Sequence, residues 1–125
     1  MDEKLENKLY DGFPYFVYSS GMTHSYVPLE CGDGWFDVIW DMCEDIESYL
    51  EDKKEDIPFS ITQLKEKWGQ LVVYGVGGDS RTDLIIKFAE VKSKHICELC
   101  GRVGKLKSTG WYKVRCEECE NVHPV

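Results

Sequence analysis

Four cysteines near the end of the chain have the residue type and spacing of a metal site. Cys97 and Cys100 form one Cys-x2-Cys pair, Cys116 and Cys119 form a second, and 15 residues separate the pairs. Each pair can direct two sulfurs at one point, and a returning hairpin can bring the pairs together around a tetrahedral Zn²⁺ at about 2.3 Å. Because the protein supplies all four ligands, the spacing predicts a structural rather than a catalytic zinc ion.

Other interpretations of this motif stay open at the level of sequence. The thiols can be unliganded, or they can hold iron in a rubredoxin-like site. His95 and His123 lie close enough in sequence to replace one of the cysteine ligands. The simpler interpretation of His95 is that it continues a helical apolar stripe formed by Leu84, Phe88 and Val91.

Two further cysteines lie outside the motif. Cys31 is in a glycine-rich turn with His24 upstream. These are the residue types of a nucleophile and its base, although the base must also be close in space. Cys43 falls on the apolar side of a predicted helix and is most simply a small buried hydrophobic residue. The many carboxylates of that helix are typical of a solvated acidic face. The sequence therefore favours a protein that is not an enzyme.

The loop that begins at Gly75 is the second candidate site. Gly75, Gly77 and Gly78 end a predicted strand, and Ser80 and Arg81 begin the next helix. Such a loop can present backbone N–H groups to a phosphate, assisted by the arginine. It lacks the Lys-Ser/Thr of a P-loop and the spacing of a dinucleotide-binding loop. An ordinary β-to-α turn is the favoured interpretation.

The aromatic content is higher than a domain of this size comfortably buries. Exposed aromatic residues can stack on a base or anchor an interface. Trp35 and Trp40 are the two that we group with the glycine loop as candidate ligand-binding residues. The set comprises Tyr15, Phe16, Tyr18, Tyr26, Trp35, Trp40, Trp68, Tyr74, Trp111 and Tyr112.

Length and composition indicate one domain, or one domain with a small lobe. The chain has 125 residues, of which 42% are hydrophobic, enough for a real core. No apolar run approaches the roughly 20 residues that span a bilayer, and the start of the chain does not resemble a signal peptide. Six cysteines without a secretion signal indicate a reducing compartment. We therefore expect a cytoplasmic protein with no membrane partner.

Charge is divided unevenly along the chain. Residues 1–91 carry a net charge of −11 and residues 92–125 a net charge of +3, which together give the total of −8. Phosphate neutralisation supplies most non-specific affinity for nucleic acids, so an acidic body is a poor nucleic-acid binder. Contact through the basic residues of the ribbon remains an alternative; they are Arg102, Lys105, Lys107, Lys113 and Arg115.

Hydrophobic periodicity predicts the elements of the first half. A short helix is expected over residues 1–12, and an extended segment followed by a loop over 13–29. A long amphipathic helix is expected over about 34–52, with Asp33 as its N-cap.

Residues 59–68 fit two structures. Ser60 and Gln63 resemble a capping box, and Ile61, Leu64 and Trp68 share a helical face, so the pattern favours a short helix. The alternative is a strand that turns through residues 67–70.

The elements that follow are clearer. Residues 71–74 predict a strand. A helix capped by Ser80 or Thr82 is expected to reach about His95. Its core face is predicted to be the stripe of Leu84, Ile85, Phe88, Ala89 and Val91.

Several short motifs resemble a family of small uncharacterised proteins of bacteria and their phages. They are Glu-Cys-Gly-Asp-Gly-Trp-Phe at 30–36, Gln-Leu-Lys-Glu-Lys-Trp-Gly at 63–69, Cys-Glu-Leu-Cys-Gly at 97–101 and Gly-Trp at 110–111. The resemblance covers about residues 30–119 and brings no established activity. It implies a zinc-ribbon end, a cytoplasmic setting and a phage or mobile-element origin.

The sequence thus predicts an α+β fold with two main helices and a few strands. An acidic body is expected over residues 1–95, with a zinc ribbon packed on it over residues 96–125. The leading functional hypothesis is a non-catalytic, zinc-stabilised binding protein that acts on a host protein, with self-association as a further option. One alternative is a protein that sequesters a small nucleotide-like ligand. The other is a nucleic-acid-associated regulator.

Overall fold

The computed structural model describes residues 1–20, 23–53, 57–108 and 110–120, and it has the predicted α+β fold. Its helices are α1 (Glu3–Gly12), α2 (Phe36–Glu51) and α3 (Ser80–Ser93), with 3-10 turns at Pro14–Phe16 and Asp33–Trp35. Its strands are β1 (Val17–Ser20), β2 (Thr23–Tyr26), β3 (Leu29–Glu30), β4 (Ser60–Lys67), β5 (Gln70–Val76), β6 (Lys105–Lys107) and β7 (Lys113–Arg115). None of the helices in these ranges is long and apolar enough to cross a bilayer.

The strands form small sheets around one core. Strand β1 pairs antiparallel with β2, and β6 pairs antiparallel with β7. Strand β4 lies in the centre of the third sheet, parallel to β3 and antiparallel to β5. The apolar face of α2 is buried as predicted, through Val38, Ile39, Met42, Cys43 and Ile46. Residues 13–29 contain the predicted extended segment, but its loop contributes a second strand, β2.

The favoured helix at residues 59–68 is wrong, because this segment is strand β4. Trp68 and Gly69 both have positive φ, 57° and 74°, in a two-residue turn that joins β4 to β5. Such a turn matches the twist of an antiparallel hairpin. The strand register shifts between Ile61 and Gln63, and both Ile61 and Leu64 are buried. That irregularity gives the strand an apolar spacing of three residues, which imitates a helix.

The start of α2 also differs from the prediction. Asp33 makes no side-chain cap, since it belongs to the preceding 3-10 turn. Its Oδ1 instead accepts a hydrogen bond of 2.7 Å from the backbone N–H of Asp2. The side chain therefore connects the N-terminus of the chain to the turn before α2.

Helix α3 has a capping box, but at a different residue from those predicted. The Asp79 side chain accepts from the N–H groups of Arg81 and Thr82, and the Thr82 hydroxyl accepts from the N–H of Asp79. Tyr49 of α2 donates a further hydrogen bond of 2.5 Å to Asp79. Asp79 is thus the N-cap, and Thr82 supplies the reciprocal bond from inside the helix.

The predicted core stripe of α3 is largely wrong. Leu84, Phe88 and Val91 are exposed, by 45%, 68% and 44%, although Ala89 is buried and half-buried Ile85 packs against the core. The buried face of the helix consists of Thr82, Ile86, Ala89 and Ser93.

This inverted orientation follows from the position of α3 along strand β5. The Ser93 hydroxyl accepts a hydrogen bond of 2.9 Å from the N–H of Leu71, and Glu90 accepts one of 3.0 Å from the N–H of Val73. Backbone donors of an edge strand require partners when they are buried. Polar side chains of α3 therefore face inward to satisfy the edge of β5, and the larger apolar side chains face outward.

We expect Ser93→Ala to destabilise the protein by about 1–3 kcal/mol, because it leaves the buried N–H of Leu71 without an acceptor. Phe88→Ala is the matched control. It removes a larger apolar side chain from an exposed site and should change the free energy of unfolding by less than about 0.5 kcal/mol. Urea denaturation of both variants tests this. A greater loss from Phe88→Ala would contradict the observed orientation of α3.

Candidate metal centre

The four cysteines of the predicted motif come together in space. The Sγ atoms of Cys97, Cys100, Cys116 and Cys119 all lie within 4.8 Å of one another, and Cys100 and Cys116 are 3.5 Å apart. Four sulfurs at 2.3 Å from a tetrahedral ion lie about 3.8 Å from each other. None of the cysteines is in a disulfide. The cluster therefore has the donor set and the dimensions for one metal ion.

Two tight turns and a hairpin position these sulfurs. In the first turn, the N–H of Gly101 donates to the carbonyl of Cys97 at 3.0 Å, and Gly101 has a φ of +82° that favours glycine. In the second turn, the N–H of Cys119 donates to the carbonyl of Cys116 at 3.2 Å. Strands β6 and β7 connect the two turns, as the sequence predicts for a ribbon.

The sulfurs have unequal proton affinities. Burial opposes ionisation of Cys97, but backbone hydrogen bonds from Cys100, Cys116 and Leu99 outweigh it and lower the pKa to about 7. Hydrogen bonding with the Cys116 sulfur and burial raise the pKa of Cys119 to about 12. Cys97 therefore ionises more readily than Cys119. Metal coordination supplies the positive charge that holds all four as thiolates.

The glycine-rich turn before α2 is hydrogen-bonded to the segment that carries the first cysteine pair. The N–H of Gly34 donates to the carbonyl of Glu98 at 2.7 Å, and the N–H of Gly32 donates to the Glu98 carboxylate at 2.9 Å. The indole N–H of Trp35 donates to the carbonyl of Ile96 at 2.9 Å. Two of the motifs that carry the family resemblance, residues 30–36 and 97–101, are therefore one structural unit. The sequence signal for this contact is the pair of glycines that flank Asp33.

Arg115 lies inside the junction between ribbon and body rather than on the basic surface. It is only 1% exposed, and its Nη1 donates to the carbonyl of Val114 at 2.9 Å and to Glu98 at 3.4 Å. Burial raises the pKa of Glu98, and the bond from Gly32 and the charge of Arg115 oppose that rise. Arg115 cannot contact a phosphate backbone from this position.

The other basic residues of the ribbon are mostly occupied within the ribbon itself. Arg102 pairs with Glu118 at 2.7 Å, and Lys107 pairs with Glu120 at 3.2 Å. Lys113 donates to the carbonyl of Glu120 at 2.7 Å. Among the described residues Lys105 has no such partner, and carboxylates pair with two of these four basic residues, which reduces the charge available to a nucleic acid.

Tight packing accounts for the glycines at the start of α3. A side chain at Gly75 would collide with the ring of Phe59 at 2.7 Å, one at Gly77 with the carbonyl of Pro58, and one at Gly78 with Thr82. The N–H groups of Arg81 and Thr82 already donate to Asp79, whose charge disfavours an anion. Ser80 and Arg81 are exposed. These contacts favour the ordinary-turn interpretation of this loop.

The two tryptophans that were grouped with this loop lie elsewhere. Trp35 is fully buried, which does not favour the ligand-binding role predicted for it. Trp40 is half-buried, with its ring 4.8 Å from that of Phe13 and 5.8 Å from that of Phe36. It packs at the edge of the core and not beside the glycine loop.

Three other aromatic residues form an exposed patch where the body meets the ribbon. Trp68 is 69% exposed and Trp111 is 67% exposed, and the ring of Trp68 lies 5.7 Å from that of Tyr112 at 68°. Trp68 belongs to the β4–β5 turn, whose Gly69 packs on Leu106 of the ribbon. We call Trp68, Trp111 and Tyr112 the aromatic patch. Residue 68 is far from residues 111 and 112 in the sequence, which therefore gives no sign that they lie together.

The aromatic patch borders a cleft of about 610 Å³ between the body and the ribbon. Trp111 and Tyr112 form one wall. The charged side chains of the lining are those of Asp2, Glu30, Asp33, Glu66, Glu98, Lys113 and Arg115. Cys31 also lines this cleft.

Neither histidine that was considered as a replacement ligand is found in the cysteine cluster of the described residues. His95 is not part of the cluster. His123 falls outside the described residues.

Cys31 and Cys43 should not react in the folded protein, because the thiolate is the reactive form. Burial, with a smaller contribution from Glu98, raises the pKa of Cys31 to about 12, and burial also raises the pKa of Cys43. Iodoacetamide at pH 8 should therefore leave both unmodified in the metal-loaded protein, as counted by mass spectrometry. After denaturation with a chelator, all six cysteines should be alkylated.

Cys31→Ser provides the control for this assignment. It should lower the number of adducts by one in the denatured sample and leave the folded sample unchanged. Rapid alkylation of Cys31 in the folded wild-type protein would contradict the raised pKa and restore this residue as a candidate nucleophile.

No family model, curated protein or solved structure matches this chain.

Proposed function

We propose that the protein is a non-catalytic binding protein whose four-cysteine cluster holds a structural Zn²⁺. Tetrahedral sites of four sulfurs are typical of zinc or of iron, and the two Cys-x2-Cys turns joined by a hairpin are the usual form of a zinc ribbon. Cys97, Cys100, Cys116 and Cys119 occupy every position of such a site. The ion would join the two turns and thereby support the junction between ribbon and body.

The aromatic patch is the observation that carries the binding function. Trp68 and Trp111 are each about two-thirds exposed, although burial of such side chains is strongly favourable. Large exposed aromatic residues beside a cleft are characteristic of interfaces, where tryptophan and tyrosine supply much of the binding energy. We propose that another protein covers this patch. The family resemblance further suggests a host protein in the bacterial cytoplasm as the target of a phage or mobile-element accessory.

Site-specific photocrosslinking in cells tests this proposal. The photoreactive residue p-benzoylphenylalanine would replace Trp111 in one variant and Phe88 in the other. Both positions carry exposed aromatic side chains, but Phe88 lies on the outer face of α3. We expect a discrete covalent adduct with one partner protein from position 111 and none from position 88. A discrete adduct from position 88 alone would move the interface to α3, and no adduct at either position would overturn the protein-binding function.

A further inference from the structure

The aromatic patch encloses a small hollow with a carboxylate at its edge. Trp68, Trp111 and Tyr112 line this hollow of about 250 Å³ together with Gly110 and Glu66. Aromatic faces carry partial negative charge and attract ammonium or guanidinium groups, tryptophan most strongly. A neighbouring carboxylate adds a direct charge interaction. This combination suits the end of an arginine or lysine side chain.

The adjoining cleft is also suited to positive charge. Its lining includes the carboxylates of Asp2, Glu30, Asp33 and Glu66, in addition to Glu98, which already faces Arg115. Three cationic groups also line the cleft: the Met1 amino group, Lys113 and Arg115. The Met1 amino group donates to the carbonyl of Leu29 at 3.3 Å, and Lys113 donates to the carbonyl of Glu120. The five carboxylates outnumber these cations, so the cleft keeps a net negative charge.

We infer that the cleft binds a basic segment of a partner protein, with one arginine or lysine side chain inserted into the aromatic hollow. This inference rests on the proposed protein-binding function and specifies the chemistry of the partner. The hollow holds one cationic group, and the carboxylates along the 610 Å³ cleft face the cationic residues on either side of it. Arginine fits best, because its planar guanidinium both stacks on aromatic rings and pairs with carboxylates.

Nuclear magnetic resonance of the four tryptophan indole N–H groups tests this inference directly. Trp35 provides an internal reference, because its indole N–H is buried and hydrogen-bonded to Ile96. The probe is a capped hexapeptide of alternating glycine and arginine, and the control replaces each arginine with glutamate. We expect the arginine peptide to shift the resonances of Trp68 and Trp111 in a saturable manner and to leave Trp35 unmoved. The glutamate peptide should shift none of them.

Two variants establish which groups bind the peptide. In the wild-type protein the Glu66 carboxylate accepts a hydrogen bond of 2.7 Å from the N–H of Gly69. Glu66→Gln retains an oxygen that can accept this bond, so it preserves the turn and removes only the charge. It should weaken peptide binding at least fivefold, and Trp111→Ala should abolish the shift of Trp68. The matched control is Asp45→Asn, which removes an exposed carboxylate on α2. It should leave the affinity for the arginine peptide unchanged. Raising the salt concentration from 50 to 300 mM should weaken binding severalfold.

Several results would overturn the inference. They are no shift at millimolar arginine peptide, equal shifts with the glutamate peptide, and full affinity in Glu66→Gln. Spermidine that binds as tightly as the peptide would assign the site to small polycations instead. Shifts that depend on protein concentration alone would assign it to a second copy of the chain. If photocrosslinking at position 111 still captures a protein in any of these cases, the binding function stands and only its basic chemistry fails.

Discussion

Removal of the metal from the four-cysteine cluster will lower the melting temperature by about 20 °C. Structural zinc contributes about 10–16 kcal/mol to the folding of small zinc domains, and a whole domain is stable by only about 5–15 kcal/mol. The body has a buried core of its own, so we expect only part of that contribution, roughly 5 kcal/mol, to be lost, which corresponds to about 20 °C for a chain of this length. The reason is local: the sulfurs are the principal link between the two turns, which a hairpin of three-residue strands connects.

Elemental analysis and calorimetry of the same samples measure this effect. We expect one zinc per chain, loss of the ion with a chelator, and recovery of the melting temperature when Zn²⁺ is restored. Cys119→Ser should reproduce the chelated state. Cys43→Ala, which removes a buried thiol outside the cluster, should retain one zinc. A protein that contains no metal, or one that keeps its melting temperature after chelation, would contradict the structural role.

A native mass spectrum of the same material bears on the small-ligand alternative. The proposal predicts a mass of the chain plus one zinc, alone or as a multimer. An additional mass of a few hundred daltons that is lost on denaturation would instead support sequestration of a small nucleotide-like ligand.

The sequence predicted the convergence of the four cysteines well because the turns that carry them are local. Two Cys-x2-Cys turns require only a few residues each, and a hairpin joins them, so spacing alone determines that the sulfurs converge. Helix α2 was equally predictable from the sequence, since its buried and exposed residues alternate with the period of a helix.

The orientation of α3 could not be predicted from the sequence in this way. The pattern of Leu84, Phe88 and Val91 is that of a buried stripe, and the rule that apolar residues face the core fails here. The competing requirement is the open edge of β5, whose N–H groups donate hydrogen bonds to Ser93 and Glu90. That requirement arises from sheet topology, and topology is not visible in the sequence of the helix.

Strand β4 and the aromatic patch were also not predicted from the sequence, one because of a local irregularity and the other because of a long-range contact. In β4 a register shift reproduced helical spacing, so a local irregularity misled a local rule. The aromatic patch joins residue 68 to residues 111 and 112 across the junction of body and ribbon. Its existence depends on how the β4–β5 turn packs on the ribbon.

The junction itself provides the second large prediction: Gly34→Ala should destabilise the protein by about 3 kcal/mol, at the upper end of typical overpacking. A β-carbon at this position would overlap the carbonyl oxygen of Cys97 and lie 2.6 Å from the backbone N of Gly101. Both atoms belong to the rigid first cysteine turn, so neither can yield as a flexible side chain would. The body and the ribbon must instead separate, and the hydrogen bond from Gly34 to Glu98 is lost with them.

Chemical denaturation together with zinc analysis distinguishes this effect from loss of the metal. The four ligands are unchanged, so Gly34→Ala should still bind one zinc while the indole resonance of Trp35 shifts as its bond to Ile96 weakens. Gly12→Ala is the matched control. Its new methyl group would lie 3.0 Å from the side chain of half-buried Trp40, which can move, so the cost should stay below about 1 kcal/mol. Equal stability of Gly34→Ala and the wild type would show that the turn before α2 does not pack against the cysteine pair. A loss of zinc in Gly34→Ala would show that the turn before α2 helps to form the metal site and does not merely hold it against the body.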